Sequence, residues 1–203
     1  MKNKHITLAI TGASGVIYAI RVLELLIEKQ FTVHLLISSA AKVVIATELG
    51  EQWPTAKDKV EQFMQERFKA QKGQILLPGK TDWFSPVASG SAAPKMMLVC
   101  PCSMGTLASI AMGLSDNLLE RAADVVIKEK GRLVLVPREM PFSAIHLENM
   151  LKLARIGVDI LPACPGFYHN PQSIEQLVDH VASRILDHLG VDNQLVGRWG
   201  YAQ

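Results

Sequence analysis

The chain has 203 residues, 49% hydrophobic and 20% charged, the mix of an ordinary globular domain long enough to bury its own core without disulfide staples. Its formal net charge of +2 excludes the broad positive field of a nucleic-acid-binding or membrane-surface protein, so any basic cluster must serve a local purpose. The three cysteines, Cys100, Cys102 and Cys164, are an odd count suited to a reducing compartment. The C-x-C spacing of the first two has no second Cys/His pair to complete a metal site, and all three thiols read as small buried apolar groups.

The opening Met1-Lys2-Asn3-Lys4-His5 leads directly into an apolar run at residues 6–10. That run is too short for a signal peptide and far below membrane-spanning length, so a cytoplasmic protein without membrane contact is expected. It reads as the first strand, and residues 11–15 as a tight turn. Residues 16–29 form a helix with Ile20, Leu23, Leu26 and Ile27 on one face. Residues 33–37 give a second strand, and 40–49 a helix stopped by Gly50. Residues 51–74 are a polar, helical excursion. Residues 78–95 are a long loop rich in Gly, Ser and Pro, and such loops in compact domains are commonly functional. A buried strand at 96–99 runs into Cys100-Pro101-Cys102-Ser103. Asn117, with Glu120 three residues on, opens a helix over 118–130. A strand at 133–136 is followed by Pro137-Arg138-Glu139, a helix at 143–156, and a strand at 158–161. After a rigid loop at 162–166, Ser173 and Gln176 form a capping box opening a last helix to Leu189. Short apolar runs alternating with amphipathic segments predict an α/β fold: a doubly wound parallel sheet in a Rossmann-like, flavodoxin-like three-layer sandwich. It forms one domain over 1–203, with the tail at about 190–203 reaching the site or a subunit contact.

In such sheets ligands lie outside the carboxyl ends of the strands, so the residues just after each strand carry the information. In Gly12-Ala13-Ser14-Gly15 the glycines let backbone N–H groups approach an anion at a helix N-terminus, although alone the motif serves equally as a tight turn. The second strand ends in Ser38-Ser39 rather than the acid an NAD ribose requires, which leaves room for a monophosphate cofactor such as FMN. Ser103-Met104-Gly105-Thr106 is a second polar cradle at a helix start. Arg121 and Lys128 share one helix face, which as a bare pattern fits a solvated face equally well. Arg138 follows a strand directly and faces the crevice. Arg184 lies among apolar neighbours, with snorkelling as its plain alternative. Glu139 is placed to exchange protons with a ligand. Glu48 ends a helix, an unfavourable position for a carboxylate, and so suggests a function. Tyr168 offers a phenol to a phosphate oxygen, and His169 reads as a hydrogen bonder fixing its loop.

Taken in order, these segments closely resemble the flavin prenyltransferase (UbiX-like) family over nearly the whole chain. The resemblance runs through TGASG, Thr47-Glu48, Ser89-Gly90-Ser91, and PCS with the following Gly105-Thr106. It continues through ERAADV from Glu120, LVLVPRE, HLENMLKLA, PGFYH and PQS interrupted only by Asn170, and Arg198-Trp199. One departure is Ser39, where many members carry lysine. The resemblance implies that Gly12, Ala13, Ser14, Ser38, Ser103, Met104, Gly105, Thr106 and Arg138 hold FMN. It implies that Arg121, Lys128, Tyr168 and Arg184 hold the phosphate of dimethylallyl monophosphate. Ser14, Glu48 and Glu139 would serve proton transfer, and Ala88 and Trp199 would wall the prenyl group. The implied reaction moves the dimethylallyl group to N5 and C6 of reduced FMN without metal. Its product, prenylated FMN, would pass to a UbiD-type decarboxylase, in ubiquinone synthesis or on aromatic acids, and the family assembles as a homo-dodecamer. The chain has no adjacent Asp-Asp pair of the kind that holds magnesium on a diphosphate, in keeping with a metal-free monophosphate mechanism. Two rivals stand beside this reading. A flavin-dependent cysteine decarboxylase of the same fold would want P-x-M-N, where this chain has Pro101-Cys102-Ser103-Met104. A non-catalytic FMN carrier would leave the second set of cations without a phosphate.

Overall fold

The computed structural model describes residues 4–54 and 56–197. Six strands form one sheet: His5–Ile10 (β1), Thr32–Ile37 (β2), Ile75–Leu76 (β3), Met96–Cys102 (β4), Arg132–Pro137 (β5) and Asp159–Ile160 (β6). Every pairing is parallel, and the order is β3-β2-β1-β4-β5-β6. The helices are Val16–Glu28 (α1), Ser39–Leu49 (α2), Lys57–Phe68 (α3), Met104–Ala111 (α4), Leu118–Lys128 (α5), Ala144–Arg155 (α6) and Ile174–Leu189 (α7), with a 3-10 turn at Pro86–Ala88.

Strand side chains alternate between two buried layers. Leu8 and Ile10 of β1 pack with α1, α2, α3 and α7, whereas Ala9 packs with α4, α5 and α6. Because helices cover both faces, the central strands read as unbroken apolar runs rather than as an alternating pattern. The result is the expected doubly wound three-layer sandwich. Its chain direction across the sheet reverses between β1 and β4, and that reversal opens a crevice at the carboxyl ends.

Three details differ from the sequence expectation. The edge strand β3 is only two residues long, too short to leave a periodic signal. Strand β4 continues through Pro101 to Cys102, while β6 shrinks to two residues. At α7, Ser173 Oγ accepts from Gln176 N–H, but the Gln176 side chain accepts from Gln172 N–H at 2.7 Å instead of closing the reciprocal box. The full box forms at α6, between Ser143 and His146.

At the N-terminal edge of the sheet a buried polar pair breaks the apolar pattern. His5 Nδ1 and His34 Nε2 lie 3.0 Å apart, and His34 is only 2% exposed. His34 Nδ1 and the Oγ1 of its cross-strand neighbour Thr7 are buried without a hydrogen-bond partner among the described residues. Burial, with a smaller contribution from the charge of His5, lowers the His34 pKa from 6.5 to about 4. Between those two values the unfolded chain binds a proton that the folded chain refuses. Stability is therefore full above about pH 6.5 and falls as the pH drops toward 4, by about 1.4 kcal/mol per pH unit. Urea unfolding at stepped pH should show this slope in the native protein and a flatter one in His34→Leu.

Candidate functional site

A cleft of about 290 Å³ opens at the carboxyl ends of β1, β2 and β4. It is lined by Gly12 after β1, Ser38 and Ser39 after β2, Ser103 and Thr106 after β4, and by the first turn of α5 from Asn117 to Glu120. Three helix N-termini thus border one cavity. Each carries a side-chain cap: Ser38 Oγ accepts from Ala41 N–H, Ser103 Oγ from Thr106 N–H, and Asn117 Oδ1 from Leu119 and Glu120 N–H. At α2 and α4 the cap takes only the N–H of the third helical residue, which leaves the first two to attract an anion, whereas at α5 Leu118 N–H donates to Lys80 O and the next two N–H groups to Asn117. The turn after β1 lies hard against α2, since a Cβ at Gly12 would run into the Ala40 methyl. Thr11 ties β1 to β4 by donating to Pro101 O at 2.8 Å while accepting from Ser103 N–H at 2.8 Å. Among the described residues lining the cleft the one carboxylate, Glu120, accepts from Asp116 N–H at 2.8 Å. These hydroxyls and N-termini fit the phosphate end of a flavin mononucleotide.

The N-terminus of α1 is different from the sequence expectation. Glu48, at the end of α2, reaches across and accepts from Gly15 N–H at 3.0 Å and Val16 N–H at 2.9 Å. The anion at this helix start is therefore a side chain of the protein itself. Gly15 has φ +104°, a left-handed conformation that favours glycine, and this angle turns its N–H toward Glu48. Glu48 thereby escapes its unfavourable place at one helix end by serving the favourable end of another. Arg138 extends from the end of β5 to Ser14 O at 3.4 Å, so Ser14, Glu48 and Arg138 share one turn. Glu139 is exposed beside Arg138, with Oε1 accepting from Met140 N–H at 3.2 Å. Ala13 and Met104 are buried, and Gly105 is exposed in the first turn of α4.

Arg121 and Lys128 do share one region of α5. Arg121 is gripped at two points, donating from NH1 to Asp124 Oδ2 at 2.8 Å and from Nε to Ala88 O at 3.2 Å. Lys128 Nζ lies 2.8 Å from Glu129 Oε1, and this hydrogen bond holds the Glu129 carboxyl below its ordinary value. The loop at Ser89-Gly90-Ser91 passes so close that a Cβ on Gly90 would strike Glu129 and come within 2.8 Å of Lys128 Nζ. Ala88, Arg121 and Lys128 are thus brought together.

Arg184 and Tyr168 are not brought to that group within one chain. Arg184 lies on α7, which packs on the opposite face of the sheet from α5, and it donates to Asp187 Oδ2 at 2.9 Å. Tyr168 is 81% exposed. The loop carrying Tyr168 and the turn carrying Arg184 meet at His180, whose Nδ1 accepts from Gly166 N–H at 3.1 Å. The His180 ring faces that of His169, and burial followed by the charges of His169 and Arg184 lowers its pKa. The loop-fixing histidine is therefore His180 and not His169. Trp199 lies outside the described residues. Burial pushes the Cys100 and Cys102 thiols up, so both stay protonated, but Cys164 is exposed because its loop leaves the sheet at Pro162.

Sequence reasoning missed Lys80 at the cleft and Asp124 beside Arg121. Asp124 had a legible signal, three residues on from Arg121 on one helix face. Lys80 had none, because nothing local says where a loop will dock.

The family profile described as Flavoprotein matches residues 1–186. The chain is 54% identical over 197 residues, 97% of its own length and 94% of the other, to a protein of Pseudomonas aeruginosa named flavin prenyltransferase UbiX. A solved UbiX structure in complex with FMN and dimethylallyl pyrophosphate superposes with a TM-score of 0.84 at 37% identity, covering 100% of both chains. A dodecameric FMN-dependent UbiX-like decarboxylase from Escherichia coli O157:H7 superposes with a TM-score of 0.82 at 39% identity, covering 97% of this chain and 100% of that one. With its strand order, its cleft and these likenesses, the chain belongs to the flavin prenyltransferase (UbiX-like) family of flavoproteins.

Proposed function

We propose that the protein transfers a dimethylallyl group from dimethylallyl monophosphate to reduced FMN, forming prenylated FMN. The observation that supports this reading is that two separate regions have the chemistry suited to an anion. One is the hydroxyl-lined cleft ringed by helix N-termini, and the other is the Arg121–Lys128 face beside Ala88. A protein that only carried FMN would need the first alone. The names of its relatives, and the pair of ligands in the UbiX complex, support the same assignment.

Reduced FMN, when bound, supplies the electron-rich ring that accepts the prenyl group. Gly12, Ser38, Ser103 and Thr106 hold its phosphate end, with Ala13, Met104 and Gly105 shaping the cradle and Arg138 bridging to Ser14. Arg121 and Lys128 meet the phosphate of the allylic substrate. As the allylic C–O bond breaks, its electron pair stays on the phosphate oxygen, and prepositioned cations stabilise that charge. Asp124 and the Ala88 carbonyl fix the Arg121 guanidinium before the substrate arrives, so little reorganisation is left to the reaction. Ala88, whose carbonyl accepts from Arg121, walls the prenyl group. Ser14, Glu48 and Glu139 serve proton transfer, with Glu139 taking the ring proton displaced when the second carbon bond closes.

Tyr168 and Arg184 complete the phosphate cluster from a second copy of the chain, since within one copy Arg184 lies on α7, across the sheet from Arg121, and the loop of Tyr168 is tied to α7 at His180. Exposed apolar side chains support such contacts. Helix α6 buries only Met150 and Leu153 and shows Ile145, Leu147 and Leu151 to solvent. We read the assembly as a dodecamer acting in the cytoplasm and passing its product to a UbiD-type decarboxylase. No described helix is long and apolar enough to cross a membrane.

The test is to mix the protein anaerobically with reduced FMN and dimethylallyl monophosphate or diphosphate, without metal, and to weigh the released flavin. A flavin heavier by one C5H8 unit is expected with the monophosphate. Unmodified FMN, from a protein shown to bind it, would overturn the reading in favour of a carrier or a cysteine decarboxylase.

A further inference from the structure

The cleft that takes the cofactor phosphate has a charged member that no motif announces. Lys80 lines it together with Gly12, Ser38, Ser39, Ser103 and Thr106, and it is the one cation among the described residues that do so. It belongs to the loop between β3 and β4, which leaves the far side of β2 and crosses to the start of α5. There the Lys80 carbonyl accepts from Leu118 N–H at 2.9 Å, so the loop backbone is docked on the first turn of α5 while the lysine side chain stays exposed. Buried Ser85 and Val87 anchor the same loop a few residues on.

The charges around the cleft leave a gap that this lysine fills. The phosphate monoester of FMN carries nearly two negative charges at neutral pH. The open helix N-termini, those of α2 and α4, offer partial positive charge only, each about half a unit, and the first N–H groups of α5 are already taken by Lys80 O and Asn117. The N-terminus of α1 contributes nothing, because Glu48 already occupies it. Arg138 points to Ser14 O and does not line the cleft, and Glu120 there is itself negative. A full positive charge within the cleft is the missing element.

We propose that Lys80 is the phosphate-selecting residue of the cofactor site: its ammonium pairs with the FMN phosphate and makes the cleft prefer FMN over the phosphate-free riboflavin. The proposal rests on the reading that this cleft holds the FMN phosphate.

The experiment compares oxidised FMN and riboflavin binding, by quenching of flavin fluorescence, in the native protein, Lys80→Ala and Lys80→Arg. Native protein should bind FMN much more tightly than riboflavin, with an affinity that weakens as salt rises. Lys80→Ala should lose about tenfold in FMN affinity and most of that salt dependence, with riboflavin affinity unchanged. Lys80→Arg should restore most of the loss. The Leu118 hydrogen bond uses the backbone of residue 80 and survives either change. Equal losses for FMN and riboflavin would mean that Lys80 only shapes the loop, and would overturn the proposal. Unchanged FMN binding in Lys80→Ala, with native preference for FMN intact, would overturn it too while leaving the cleft assignment standing. Native protein that bound FMN no better than riboflavin would overturn the cleft assignment itself.

Discussion

Glu139→Gln should bind FMN as tightly as the native protein and transfer the prenyl group at least about 100-fold more slowly in a single turnover. Glu139 sits one residue past Arg138, in the loop leaving β5, and is exposed. Its recorded hydrogen bond, from Met140 N–H, takes up one carboxylate oxygen and leaves the other available to a proton. Glutamine keeps the size and the hydrogen-bonding reach but cannot accept the proton, so binding and chemistry separate. The measurement is rapid mixing of the reduced FMN complex with dimethylallyl monophosphate, followed by flavin absorbance. A native rate in the variant would remove Glu139 from the proton pathway.

The second large effect is expected at Arg121. Arg121→Ala should weaken dimethylallyl monophosphate and slow its transfer, with a combined loss of about 100- to 1,000-fold, and leave FMN affinity within about twofold. The two ligands respond differently because Arg121 lies at the Ala88 loop, whereas the cofactor cleft is bordered by the first turn of the same helix. Arg121→Lys should recover only part of the loss. A lysine returns the charge, but it lacks the fork that holds Asp124 with one arm and Ala88 O with another. Titration of each ligand separately, with the other absent, reads both halves of this result. Parallel losses for FMN and the monophosphate would place Arg121 in the general architecture of the cleft.

Much of the fold was legible because its cues are local. The apolar run at residues 6–10, the stop at Gly50, and the N-caps at Asn117 and Ser173 all rest on interactions within a few residues, and all stand where the sequence puts them. The strand-end rule carried Gly12, Ser38, Ser103 and Thr106 to one cleft for the same reason. What the sequence hid depends on docking between distant segments. Glu48 looked misplaced because its partner, the start of α1, lies 33 residues away. Lys80 looked like an ordinary loop lysine until Leu118 fixed its backbone, yet it shares a cleft with Ser39, the position where the resemblance led one to expect a lysine. The residues proposed to hold the substrate phosphate looked like one group in sequence, but Arg121 and Lys128 on α5 and Arg184 on α7 divide between opposite faces of the sheet, since periodicity says nothing of which face each helix covers.

The carboxylate of Glu48 on the start of α1 bears on turnover. A flavoprotein that keeps its cofactor for life can let the flavin phosphate satisfy a helix terminus, because that phosphate never leaves. An enzyme whose flavin departs as product must face an empty site after every cycle. Here the Gly15 and Val16 N–H groups are satisfied by the chain itself. Departure of the modified flavin therefore leaves these two N–H groups paired, ready for the next FMN.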